Sequence, residues 1–142
     1  MHEPGDKAAA LSRAARRRYE SDVLAALKEL TAGMRRVAAL APQIDRPGAD
    51  PELRAIVVAE CQSWRAILDR MPDEPPTVYR GVHARVVRWS AVVAELGDRQ
   101  IAALASRDAA DQYQVTLLAT EVGERYRDIM RAMEELTRGN RG

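Results

Sequence analysis

Phenylalanine is absent from this chain, cysteine occurs once, and the aromatic side chains come to 4% of the residues. So few rings leave no row of stacking platforms for single-stranded nucleic acid. A lone cysteine, Cys61, has no internal disulfide partner, so nothing marks the compartment as oxidising. It lies in a helical segment without a histidine, which suits a small buried hydrophobe better than a nucleophile. Only two histidines exist, and His83 has no second histidine or cysteine one turn away to share a metal. No run of about 18 uncharged apolar residues offers a bilayer span. The start, Met1-His2-Glu3-Pro4-Gly5-Asp6, has neither the basic nor the apolar region of a secretory signal, so a cytoplasmic address is expected. The alternative is a soluble domain excised from a membrane-anchored protein. Lysine is nearly absent too, with Lys7 and Lys28 alone, so positive charge is carried by arginine. The net charge of +1 argues against a surface designed throughout for nucleic acid.

What the chain has is apolar residues at alternating spacings of three and four, the period of one helix face. The first helix is expected from about Lys7 to Ala41, capped by Asp6, with a stripe from Leu11 and Tyr19 through Leu27, Leu30 and Val37. Pro42, Pro47 and Gly48 end it. A second helix begins with Asp50 as cap, Pro51 in the first position and Glu52 at the positive dipole end. Its stripe runs Leu53, Ile56, Val57, Cys61, Trp64 and Ile67, and Pro72 closes it. A third starts near Thr77 with Tyr79, Val82, Val86, Trp89 and Val93, and Gly97-Asp98 is the point where it would kink or restart. After Ser106-Arg107-Asp108, the fourth carries Tyr113, Leu117, Leu118, Val122, Ile129 and Met133, with fraying expected over residues 139–142.

Short connections between four amphipathic helices predict an all-α fold: an antiparallel up-down-up-down four-helix bundle with a long first helix, one domain over residues 1–142. Charge gives an independent vote. Residues 1–48, 49–76, 77–107 and 108–142 carry net charges of +3, −3, +3 and −2, which sets opposite signs across each seam between consecutive helices. A first helix of roughly 35 residues against a second of roughly 21 leaves an overhang on the order of 20 Å. Short turns join the other ends, so residues 1–18 are expected to form a projecting or flexible basic arm.

Three groups of residues could carry function. Arg13, Arg16, Arg17 and Arg18 on the arm could grip an anionic partner such as a phosphate backbone, an acidic protein face or a lipid headgroup. Glu95 with Asp98, and Glu121 with Glu124, are i, i+3 carboxylate pairs on successive helices that could hold Mg²⁺ against a triphosphate if they met. All-α nucleotide pyrophosphohydrolases use such pairs with Glu-Glu preceding Glu-Asp, whereas here the order is reversed. Trp64 and Trp89 are expected in the core, with one of them able to line a ligand cavity. Val58 and Ile101 are candidates for a second apolar strip. Histidine phosphotransfer proteins are four-helix bundles as well, but their active histidine is followed by lysine and glycine, and His83 is followed by Ala84-Arg85-Val86-Val87-Arg88.

These observations predict a non-enzymatic interaction protein, an oligomerising adaptor or regulatory module without a cofactor, whose partner is a protein or a second copy of itself. The alternatives are a sensor or extracytoplasmic ligand-binding bundle, a magnesium-dependent all-α nucleotide pyrophosphohydrolase, and a nucleic-acid-binding accessory protein acting through the arm.

Overall fold

The computed structural model of the chain describes residues 4–139, and expectations for residues 1–3 of the arm and for fraying at 140–142 lie outside them. Four helices account for most of the described chain: α1, Pro4–Leu40; α2, Leu53–Asp69; α3, Arg80–Ser106; and α4, Ala109–Gly139. Single 3₁₀ turns at Ala41–Gln43 and Thr77–Tyr79 serve as the exit from α1 and the entry to α3. No strand occurs among the described residues. The fold is an antiparallel four-helix bundle with a long first helix.

Local chemistry explains the boundaries. The Asp50 carboxylate accepts the Glu52 N–H at 2.9 Å, and the regular helix takes over at Leu53, two residues later than Pro51 alone would suggest. Asp108 does the same for α4, accepting the Ala110 N–H at 3.0 Å. The α3–α4 turn is unusually tight. Arg107 takes a left-handed conformation with φ of 56°, donates its N–H to the Ala103 carbonyl, and forms an ion pair of 3.0 Å with Asp45. A non-glycine residue held there carries about 1 kcal/mol or more of strain.

Cross-helix ion pairs report the register. Glu29 and Arg36 of α1 meet Arg70 and Glu60 of α2, so one helix climbs as the other descends. Arg65 reaches Asp98 across the α2–α3 seam, and Arg85 reaches Asp128 across the α3–α4 seam. The alternating net charges of the four segments therefore face each other as opposite signs. Each pair is solvent-exposed and contributes only tenths of a kcal/mol.

Helix α3 is continuous through Gly97, without the restart that the sequence left open there. The glycine serves packing instead. A Cβ at Gly97 would sit 3.2 Å from Trp64 Cε3 and 3.3 Å from the Cys61 carbonyl oxygen. On the far side of the same indole, a Cβ at Gly33 would lie 2.8 Å from Trp64 Nε1 and overlap the Glu60 carboxylate. Two glycines thus let α1 and α3 close on a tryptophan of α2.

The core includes Val23, Leu27 and Leu30 of α1, Val57 and Trp64 of α2, Trp89 and Val93 of α3, and Ile129 of α4. Several residues placed on the apolar stripes face outward. Ile56 is 48% exposed and Leu117 46% exposed, while their neighbours Val57 and Leu118 turn inward. A helical stripe is wider than the contact line, and packing selects which edge is used. Val58 and Ile101 do not form a free strip, since both are partly buried and Ile101 packs against the core. In α1 the first core residue is Tyr19, and Ala8–Arg18 form an exposed helical stretch in which only Arg16 is partly covered.

Candidate functional site

The ring of helices is closed unevenly. α3 packs along α4, and α2 lies between α1 and α3, but α1 and α4 barely touch. At the end where α1 and α3 begin, Tyr19 closes the diagonal. Its hydroxyl lies 2.9 Å from His83 Nδ1, and its ring packs against Tyr79 at 5.0 Å between centroids with the planes tilted by 38°, while the Tyr79 hydroxyl donates to Glu20 at 3.0 Å. Burial, reinforced by the Tyr79 charge, pushes the Tyr19 phenol up to about 12. His83 is thus a packing residue beside a buried phenol.

At the opposite end α1 and α4 stand apart, leaving a groove of about 1050 Å³. Its α1 wall carries Met34, Val37 and Ala38, and its α4 wall Val115, Ala119, Val122, Gly123 and Tyr126. Trp64 and Leu96 supply the floor. Four arginines, Arg35, Arg54, Arg107 and Arg127, border this apolar trough, against a single carboxylate, Asp45, which is already paired with Arg107. The strained Arg107 therefore places a guanidinium at the closed end of the turn, beside the trough. Such a site has space for a ligand or a partner's side chains, an apolar interior, and a positive border spread along its length.

Of the two tryptophans expected to be able to line a cavity, Trp64 lines the groove and Trp89 does not. Trp89 is fully buried, and its indole N–H is the one buried side-chain polar group without a hydrogen-bond partner among the described residues.

The carboxylate pairs do not converge. Asp98 is drawn to Arg65 on α2, and Glu95 lies 4.0 Å from Arg99 on its own helix. Glu121 is bonded at 2.9 Å to Arg125, and with Glu124, Leu117 and Asp128 it borders a separate depression on α4. Each pair shares a helix face, as the spacing requires, but the two faces are turned to different neighbours. No group of three or more histidine, cysteine, aspartate or glutamate side chains that could hold a metal is found among the described residues.

Arg13, Arg17 and Arg18 stand exposed on α1 before the core begins, with Arg16 partly covered beside Tyr79. Among the described residues none of the four forms an ion pair, and Glu134, a possible partner, binds Arg138 instead. The arm and the groove lie at opposite ends of the bundle.

The groove was not foreseen from the sequence. Its signal was nonetheless present in α4, where Gln112, Thr116, Ala119 and Gly123 recur at spacings of three and four beside the apolar stripe. Small and polar residues on one continuous helix line do not fill a contact with a neighbouring helix.

No family model, no curated protein and no solved structure matches the chain.

Proposed function

We propose that this protein works by binding: it is a helical-bundle interaction module, of adaptor or regulatory type, whose working surface is the open seam between α1 and α4. The observation that supports this reading is the groove itself. An apolar trough floored by a core tryptophan and bordered by four arginines is a surface that a well-packed bundle would otherwise close. Its lining offers threonine hydroxyls, a tyrosine and one ion-paired aspartate, a composition suited to holding an apolar surface with acidic flanks. The single buried, unpaired cysteine is at home in a reducing compartment, which supports a cytoplasmic setting. No helix among the described residues is long and apolar enough to cross a membrane.

The test uses anilinonaphthalene sulfonate, an apolar anion that fluoresces when it leaves water. The folded protein should bind it saturably, and Ala119→Arg, an exposed helix site at the centre of the groove wall, should abolish the signal with helicity unchanged. A signal that Ala119→Arg leaves untouched would remove the groove from the functional account.

A further inference from the structure

We infer that the projecting stretch of α1 is a docking helix for duplex DNA, seated in the major groove with its arginines on the phosphate walls. This surface is separate from the seam between α1 and α4. From Ala8 to Arg18 the helix extends roughly 16 Å, at about 1.5 Å per residue, before Tyr19 enters the core. The stretch continues a helix that packing holds from Tyr19 onward, so its nucleus is already formed and DNA does not have to order it.

Charge selects an anionic partner. No acidic residue falls between Asp6 and Glu20, whereas Arg13, Arg16, Arg17 and Arg18 crowd the end of that interval. Neighbouring carboxylates are engaged elsewhere: Glu20 accepts the Tyr79 hydroxyl at 3.0 Å, and Glu134 of α4 is paired with Arg138. The chain's net charge of +1 does not oppose this cluster, because exposed charges more than a Debye length of about 10 Å away are screened at ordinary salt.

Geometry selects the duplex. At 3.6 residues per turn Arg13 and Arg17 share one face, while Arg16 and Arg18 project to its two flanks. Arg16 is on the flank beside Tyr79. A helix in the major groove of B-DNA, about 12 Å wide, has a phosphate wall on either side, which Arg16 and Arg18 answer separately. The long side chains of Arg13 and Arg17, on the face between, reach the same phosphates. Alanines at 8, 9, 10, 14 and 15 keep the helix slender enough to enter. Other anionic surfaces fit less well. Leu11, 64% exposed, is the one large apolar side chain from Ala8 to Arg18, so the helix has no stripe to sink into a bilayer or lay in a protein groove. Single strands are gripped by stacking, and the nearest rings, Tyr19 and Tyr79, are buried. The major groove of double-stranded RNA is too narrow and deep for side chains to read.

Fluorescence anisotropy of a labelled DNA duplex of about two helical turns, titrated with the full chain, tests the inference. Binding should weaken about a hundredfold between about 50 and 200 mM salt, the slope expected for roughly four phosphate contacts. Arg13→Gln should lower that slope by about one, and changing Arg16, Arg17 and Arg18 together to alanine should abolish binding with helicity unchanged. Arg46→Ala, which removes an exposed arginine from the loop after α1, should alter neither affinity nor slope. A single strand of the same length, and vesicles containing phosphatidylglycerol, should each bind more weakly than the duplex. A duplex left free at low salt overturns the proposal, as does duplex binding that survives the triple substitution. A single strand or vesicles bound as tightly as the duplex overturn it too. None of these outcomes bears on dye binding in the groove, which Ala119→Arg tests separately.

Discussion

Replacing Gly33 with alanine sets two physical effects of opposite sign against each other. In a helix interior the exchange alone should stabilise by about 1 kcal/mol, because alanine loses less backbone freedom on folding. At Gly33 the added methyl carbon would lie 2.8 Å from Trp64 Nε1 and overlap the Glu60 carboxylate. The carboxylate can swing away only by giving up its exposed ion pair with Arg36, at a cost of tenths of a kcal/mol, together with the 3.4 Å bond that it accepts from Trp64 Nε1. The indole has no free space behind it, since Gly97 of α3 lies so close to its other edge that a Cβ there would come within 3.2 Å of Cε3. Overpacking of this kind costs about 1–3 kcal/mol. The expected balance is a destabilisation of about 1 kcal/mol, or a loss of about 3 °C in Tm for a domain of this size. Gly123→Ala is the control, because the same methyl there meets no atom nearer than 4.0 Å and should leave only the propensity gain of about 1 kcal/mol. Urea unfolding followed by circular dichroism measures both. If Gly33→Ala stabilises as much as Gly123→Ala, Trp64 is not clamped between α1 and α3 and the account of the groove floor is wrong.

Three further outcomes are expected. Burial, and then the Glu60 charge, push the Cys61 thiol from 9.0 up to about 12, so its thiolate fraction near neutral pH is about a thousandfold below that of a free thiol. Ellman's reagent should react with it far more slowly in the folded protein than in urea, and equal rates would place Cys61 at the surface. For Tyr19 the folded state favours the neutral phenol, so its contribution to stability is complete below pH 10 and fades as pH rises from 10.0 toward about 12. Tm should therefore fall through that window, less steeply in Tyr19→Phe, and an identical slope in both proteins would count against a buried phenol. Changing Arg16, Arg17 and Arg18 together to alanine should remove any salt-dependent binding of DNA while leaving the dye signal of the groove intact. Loss of both would mean that arm and groove are not separate surfaces.

Much of the architecture was legible in advance because it depends on near neighbours. Asp50 and Asp108 end their turns through bonds to backbone N–H groups two residues away, and prolines at 42, 47 and 72 stop helices wherever they occur. The three-and-four spacing of Val23, Leu27 and Leu30 identifies a buried face without reference to what it buries against. Short connections then leave antiparallel neighbours as the economical arrangement, and the alternating charges of the four segments meet as Arg36–Glu60, Arg65–Asp98 and Arg85–Asp128. The sequence leaves the role of Gly97 open, because a glycine that loosens a helix and one that admits a tryptophan are identical in one dimension.

Periodicity in this chain determined that there would be four helices, roughly where they would begin and end, and which side of each would be apolar. Tertiary structure alone decided that the seam between α1 and α4 would stay open, that Trp64 would floor it, and that the carboxylate pairs would turn to different neighbours. The physical reason is range: a helix is set by bonds between residues four apart. Whether Ala38 and Ala119 fill the space between their helices depends on side-chain volumes brought together from opposite ends of the bundle's sequence, and no local pattern encodes that sum.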